Sequence, residues 1–96
     1  MLTIDKIKEA VTKVGKKYGI KKAYLFGSYA RGEATEKSDV DVIMERGEIK
    51  TYDAYFDAHE DLESELGKKV DLLATDGVRP KVYEQISRDW ILLYGA

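Results

Sequence analysis

Ile4, Ile7, Val11, Val14 and Tyr18 recur at spacings of three and four, which sets them on one stripe of an amphipathic helix that stops near Gly19. Residues 22–26, KAYLF, are a short apolar and aromatic run halted by Gly27-Ser28, the pattern of a strand feeding a tight turn. From Tyr29 to Arg31 there is room for one helical turn before the polar stretch that begins at Gly32. In the segment SDVDVIMER, Asp and Val alternate, so a strand here would project Asp39 and Asp41 from one face and Val40 and Val42 from the other. After a turn at Gly47, the residues Tyr52, Tyr55, Phe56, His59, Leu62 and Leu66 mark the apolar stripe of a second long helix, closed by Gly67. Residues 69–74, KVDLLA, read as a third strand with Asp71 opposite in direction to Val70 and Leu72. Pro80 suits the first turn of a helix whose apolar side holds Val82, Tyr83, Ile86 and Trp90, and the final ILLY closes as a short strand or a helix tail. No repeat, low-complexity tract or linker interrupts this order, so residues 1–96 are expected to form one domain of α/β or α+β class, a small mixed sheet with helices packed against it.

Composition narrows the function classes. Forty-four per cent hydrophobic against 35 per cent charged residues is a globular balance, and no apolar run approaches the roughly 18 residues of a membrane span. The opening residues mix apolar and charged positions, unlike a secretory signal, which makes the cytoplasm the expected compartment. The absence of cysteine excludes disulfides, thiolate nucleophiles and cysteine-ligated zinc, so a metal would have to sit on oxygen ligands or on the single histidine, His59. A net charge of −2 argues against a general nucleic-acid binder and leaves direct nucleic-acid binding unexpected.

The chemistry concentrates in Gly27-Ser28, ten intervening residues, and Asp39-Val40-Asp41, joined by the isolated Asp71 on another strand. Two aspartates two apart on a strand put both carboxylates on one face, and a third from a neighbouring strand completes an oxygen-rich cage suited to Mg²⁺. Such a cage can hold two ions about 3.5–4 Å apart, the arrangement used for phosphoryl and nucleotidyl transfer. Gly27 would let the backbone approach a phosphate, Ser28 would offer a hydroxyl, and free amides at the start of the next turn favour the same anion. Taken one at a time, each of these residues is equally an ordinary solvated aspartate or an ordinary turn; it is three carboxylates at strand positions that disfavour Asp that tilts the reading to a metal and phosphate site. Arg31 could reach phosphate oxygens or lock its loop through a carboxylate. His59 falls on the apolar stripe, where a packed histidine is the commoner case. Tyr52, Tyr55, Phe56 and Trp90 read as core, Tyr29 as half-buried and Lys37 as surface.

The segment LFGSYARGEATEKSDVDVIME, with the later VDLL, resembles the nucleotidyltransferase superfamily that includes DNA polymerase beta, whose signature is this Gly-Ser and Asp-x-Asp spacing. The short length and the Gly-Ser-x-Ala-Arg-Gly form are similar to the minimal nucleotidyltransferases, antitoxin partners of HEPN-domain toxins, and the resemblance spans essentially the whole chain. It implies a five-element mixed sheet core, ATP and Mg²⁺, and transfer of AMP to a tyrosine of a HEPN ribonuclease. It further implies that Gly27 and Ser28 bind the triphosphate, that Asp39 and Asp41 bind metal, and that Asp71 is the third carboxylate, ligating one ion and helping to deprotonate the acceptor hydroxyl. Larger members append domains that grip the acceptor; here the core takes up nearly all 96 residues, so the acceptor is expected from a partner protein. Two competing readings remain at this point: transfer to a small hydroxyl compound, of aminoglycoside type, bound between subunits of a homodimer, the simplest homo-oligomer, and neutralisation of a partner by binding alone.

Overall fold

The computed structural model describes residues 1–95. Helix α1 spans Ile4–Tyr18. It begins where Thr3 Oγ1 accepts the Lys6 N–H at 3.2 Å and ends at Gly19, whose φ of 71° is the left-handed turn that glycine adopts without steric cost. Helix α3, Tyr52–Leu66, is built the same way, with Thr51 Oγ1 accepting the Ala54 N–H at 3.1 Å and Gly67 closing the end. Between them lie β1 (Lys22–Phe26), the short helix α2 (Gly27–Arg31) and β2 (Val40–Glu45). After α3 come β3 (Val70–Ala74), α4 (Pro80–Ile86) and β4 (Ile91–Tyr94), with 3₁₀ turns on either side of α4.

The strands form one mixed sheet in the order β3-β2-β1-β4. Strand β1 is antiparallel to both β2 and β4, while β2 and β3 run parallel. A parallel pair requires a crossover, and α3 supplies it. The four strands are one fewer than the five elements implied by family resemblance, and the ILLY segment resolves as a strand because β1 offers it an edge to pair with.

Alternation along the strands separates two faces. Ala23, Leu25, Val40, Val42, Met44, Val70, Leu72 and Leu93 turn toward α1 and α3 and meet Ile7, Val11, Val14, Ala58 and Leu62 in the main core. Each large aliphatic side chain fully buried there contributes about 1.5–3 kcal/mol relative to exposure. The opposite face carries Tyr24, Asp41 and Ile43, and it is partly covered by the C-terminal segment, where Trp90 stacks on Tyr24 with ring centroids 4.4 Å apart and Tyr83 meets Trp90 edge-on.

The apolar stripe expected for α3 is corrected by this packing. The helix buries Ala58, Leu62 and Leu66, whereas Tyr52 and Phe56 are 82% and 58% exposed. The small residues Ala54 and Ala58 let α3 approach the sheet, which rotates the aromatic residues at 52 and 56 outward and leaves Tyr55 and His59 at the border. Tyr29 is likewise more buried than expected, at 5% exposure.

Candidate active site

Asp41 and Asp71 are each the second residue of their strands, and the parallel register sets them directly opposite each other. On its other side Asp41 pairs with Phe26, the last residue of β1, so the turn at Gly27-Ser28 opens beside the Asp41 carboxylate. Gly27 has φ of 74°, and a Cβ placed on it would lie 2.1 Å from Asp41 Oδ2. Any side chain there would expel the carboxylate, so the glycine is required by both backbone conformation and space. Ser28 follows as the second residue of α2, whose first turn takes no cap hydrogen bond from the Phe26 side chain.

The electrostatics of the pair are unfavourable without a counter-charge. Partial burial, then the hydrogen-bonding and charge of Asp71, then the charge of Asp39 push the Asp41 carboxyl from its ordinary 3.8 up to about 6, while Arg31 pulls it the other way. Asp39 stands just before β2, and Lys69, which stands just before β3, places Nζ 3.9 Å from Asp39 Oδ2. The structure therefore brings Asp41 and Asp71 together and sets Asp39 at their side, facing a lysine.

Arg31 closes α2 and donates from Nε to Glu33 Oε1 at 2.8 Å, with Nη1 3.8 Å from Asp89 Oδ2. Of the two roles open to it in the sequence, the one present here is the carboxylate lock, which ties α2 to the 3₁₀ turn ahead of β4. Lys37 is exposed. Lys69 and Asp89 were not legible as site neighbours, because the signal that joins them to Asp39 and Arg31 is strand register and chain return, not local spacing.

Among the described residues no three His, Cys, Asp or Glu side chains gather closely enough to cage an ion. The donor chemistry nevertheless fits a hard cation. Every candidate ligand is a carboxylate, two of them stand abreast, and their mutual repulsion is the kind a divalent ion relieves. A cavity of about 790 Å³ lies elsewhere, between the start of α3 and the end of β3, and touches none of these residues.

A mixed sheet with a Gly-Ser turn at the end of one strand, an aspartate beside it on the next and a further aspartate abreast on the third defines the nucleotidyl-transfer class of phosphate chemistry. Residues 6–96 match the family model described as polymerase beta, nucleotidyltransferase, and the chain belongs to that family. It is a nucleotidyltransferase. It is similar to the protein adenylyltransferase MntA of Thermococcus cleftensis, 32% identical over 93 residues that cover 93% of this chain and 94% of that one. It is also 42% identical over 98 residues to MJ1379 of Methanocaldococcus jannaschii, provisionally named a protein adenylyltransferase, with 95% and 98% of the two chains covered. Among solved structures, a toxin–antitoxin crystal structure with AMP-PNP superposes with a TM-score of 0.78 at 25% identity, covering 99% of this chain and 75% of that one. The resemblance to the minimal nucleotidyltransferases thus holds over nearly the full chain.

Proposed function

We propose that residues 1–96 work as one minimal nucleotidyltransferase domain in the cytoplasm, moving AMP from ATP onto a tyrosine hydroxyl of a HEPN ribonuclease toxin and so acting as its antitoxin. The observation that carries the reading is the in-register Asp41 and Asp71 pair beside a glycine whose missing Cβ leaves room for that pair. The adenylyltransferase names of the relatives and the ATP analogue in the toxin–antitoxin neighbour support AMP as the group moved and a toxin as the acceptor.

In the transfer, the acceptor oxygen forms a bond to the α-phosphorus as the bond to the bridging oxygen breaks and pyrophosphate leaves. Gly27 admits the triphosphate to the end of β1, and the Ser28 hydroxyl donates to a phosphate oxygen. Asp71, exposed at the front of β3, takes the proton of the acceptor hydroxyl. Mg²⁺, held by Asp39, Asp41 and Asp71, would supply charge neutralisation for the triphosphate and the leaving group. Asp39 would exchange its contact with Lys69 for that role.

Intact-mass spectrometry of a HEPN-domain toxin that binds this chain, after incubation with the protein, ATP and Mg²⁺, tests the proposal. The expected result is a gain of one or more AMP units that is absent with an Asp39→Ala, Asp41→Ala variant. A stable complex with unchanged toxin mass would refute transfer and leave neutralisation by contact.

A further inference from the structure

Strand β3 is the edge of the sheet, and an edge strand normally leaves alternate main-chain groups to solvent. Here Lys69 O accepts the Val40 N–H at 3.1 Å, so the odd-numbered residues of β3 turn their main chain toward β2 and the even-numbered residues turn theirs outward. Three of those outward groups, Val70 N–H, Val70 O and Leu72 O, are taken by side chains of α3. Tyr55 Oη donates to Leu72 O. His59 Nε2 lies 2.6 Å from Val70 O and must carry its proton to donate there. Glu63 Oε2 accepts the Val70 N–H at 2.9 Å and lies 3.5 Å from His59 Nε2. Tyr55, His59 and Glu63 are spaced four apart, one row of the helix surface.

The row grips Val70 and Leu72, the two residues that flank Asp71, and it does so from the side opposite β2. With β2 on one edge and this row on the other, the main chain at 70–72 is held along both sides. We propose that Tyr55, His59 and Glu63 are positioning residues that fix Asp71 beside Asp41 by replacing the strand that β3 lacks at its outer edge. The proposal rests on the reading of Asp71 as a metal-binding carboxylate. It gives the lone histidine a role as a main-chain donor and not as a base or ligand, and it explains polar side chains on a helix row that could otherwise have been apolar.

The test is Mn²⁺ binding, followed by electron paramagnetic resonance with the metal alone, in the wild type and in Asp71→Asn, Glu63→Ala, Glu63→Gln, His59→Ala and Tyr55→Phe, each shown folded by circular dichroism. Loss of a group that orients a ligand costs about tenfold or more in metal affinity. Glu63→Ala, His59→Ala and Tyr55→Phe should each weaken Mn²⁺ binding by about tenfold or more. Glu63→Gln, whose amide oxygen still accepts the Val70 N–H, should stay close to wild type. Combined with Asp71→Asn, the three disruptive changes should cause no further loss, which a role in general stability would not predict. If Glu63→Gln binds as weakly as Glu63→Ala, the charge of Glu63 matters and the clamp does not; if the losses persist in the Asp71→Asn background, the row does not act through Asp71. Either result overturns the proposal while the metal reading stands. If Asp71→Asn itself binds Mn²⁺ like the wild type, the reading of Asp71 fails, and the clamp falls with it.

Discussion

Asp41→Asn should stabilise the metal-free protein while abolishing transfer. The carboxylate is partly buried beside Asp71 and within range of Asp39, and the cost of ionising it there appears as a carboxyl raised from 3.8 to about 6. At about 1.4 kcal/mol per pKa unit, that difference sets a ceiling of about 3 kcal/mol on the penalty at neutral pH. Solvent reaches part of the group and screens it, which reduces the expected gain to about 1 kcal/mol. In a chain of this size such a gain raises Tm by about 4–8 °C. Asparagine keeps the shape of aspartate and offers an amide donor to Asp71 in place of a second negative charge.

The sign of the pH dependence follows from the direction of the shift. A carboxyl whose pKa is higher in the folded state binds its proton more tightly there, so its stability contribution is greatest below the unfolded value of 3.8 and is lost as pH rises through about 6. The advantage of Asp41→Asn should therefore be full above about pH 6 and should shrink steadily toward about pH 4. Thermal melts in EDTA across that range measure it. Mg²⁺ should raise the Tm of the wild type and leave the variant unmoved, since a ligand stabilises only the state that binds it. A variant that melts below the wild type at neutral pH, or an advantage that does not change with pH, would refute the claim that like-charge crowding at Asp41 is held in the fold.

Gly27→Ala should lower transfer by about 10²-fold, because the new Cβ displaces the Asp41 carboxylate and a misplacement of about 1 Å is costly in rate; steady-state kinetics with ATP and the toxin check it, and activity near wild type would show that the close approach is not needed. The positive φ adds a strain of about 1–3 kcal/mol, visible in the melt. Leu62→Ala, at a position 1% exposed between α3 and the sheet, should cost about 2–5 kcal/mol, whereas Tyr52→Ser should stay within about 0.5 kcal/mol because Tyr52 is 82% exposed. Urea denaturation separates the two, and equal losses would contradict the inward face assigned to α3.

The parts of this fold legible in the sequence are those fixed by neighbours along the chain. Thr3 and Gly19 bound one helix and Thr51 and Gly67 the other, and alternation along β2 placed Val40 and Val42 inward. The α3 stripe misled because aromatic residues at 52 and 56 outweigh alanines at 54 and 58 on any hydrophobic scale, while close packing against a sheet favours the alanines. Spacing could bring Gly27, Ser28, Asp39 and Asp41 into one motif, but not the register that pairs Asp41 with Asp71, nor the one that sets Lys69 beside Asp39. The same register explains why the site is costly to the fold. Parallel pairing with matched positions puts two carboxylates abreast, while among the described residues Arg31 is engaged with Glu33 and Asp89 and Lys69 with Asp39. The uncompensated charge is thus left at Asp41 and Asp71, where, on the function proposed above, a divalent cation and a triphosphate would bring their own balance.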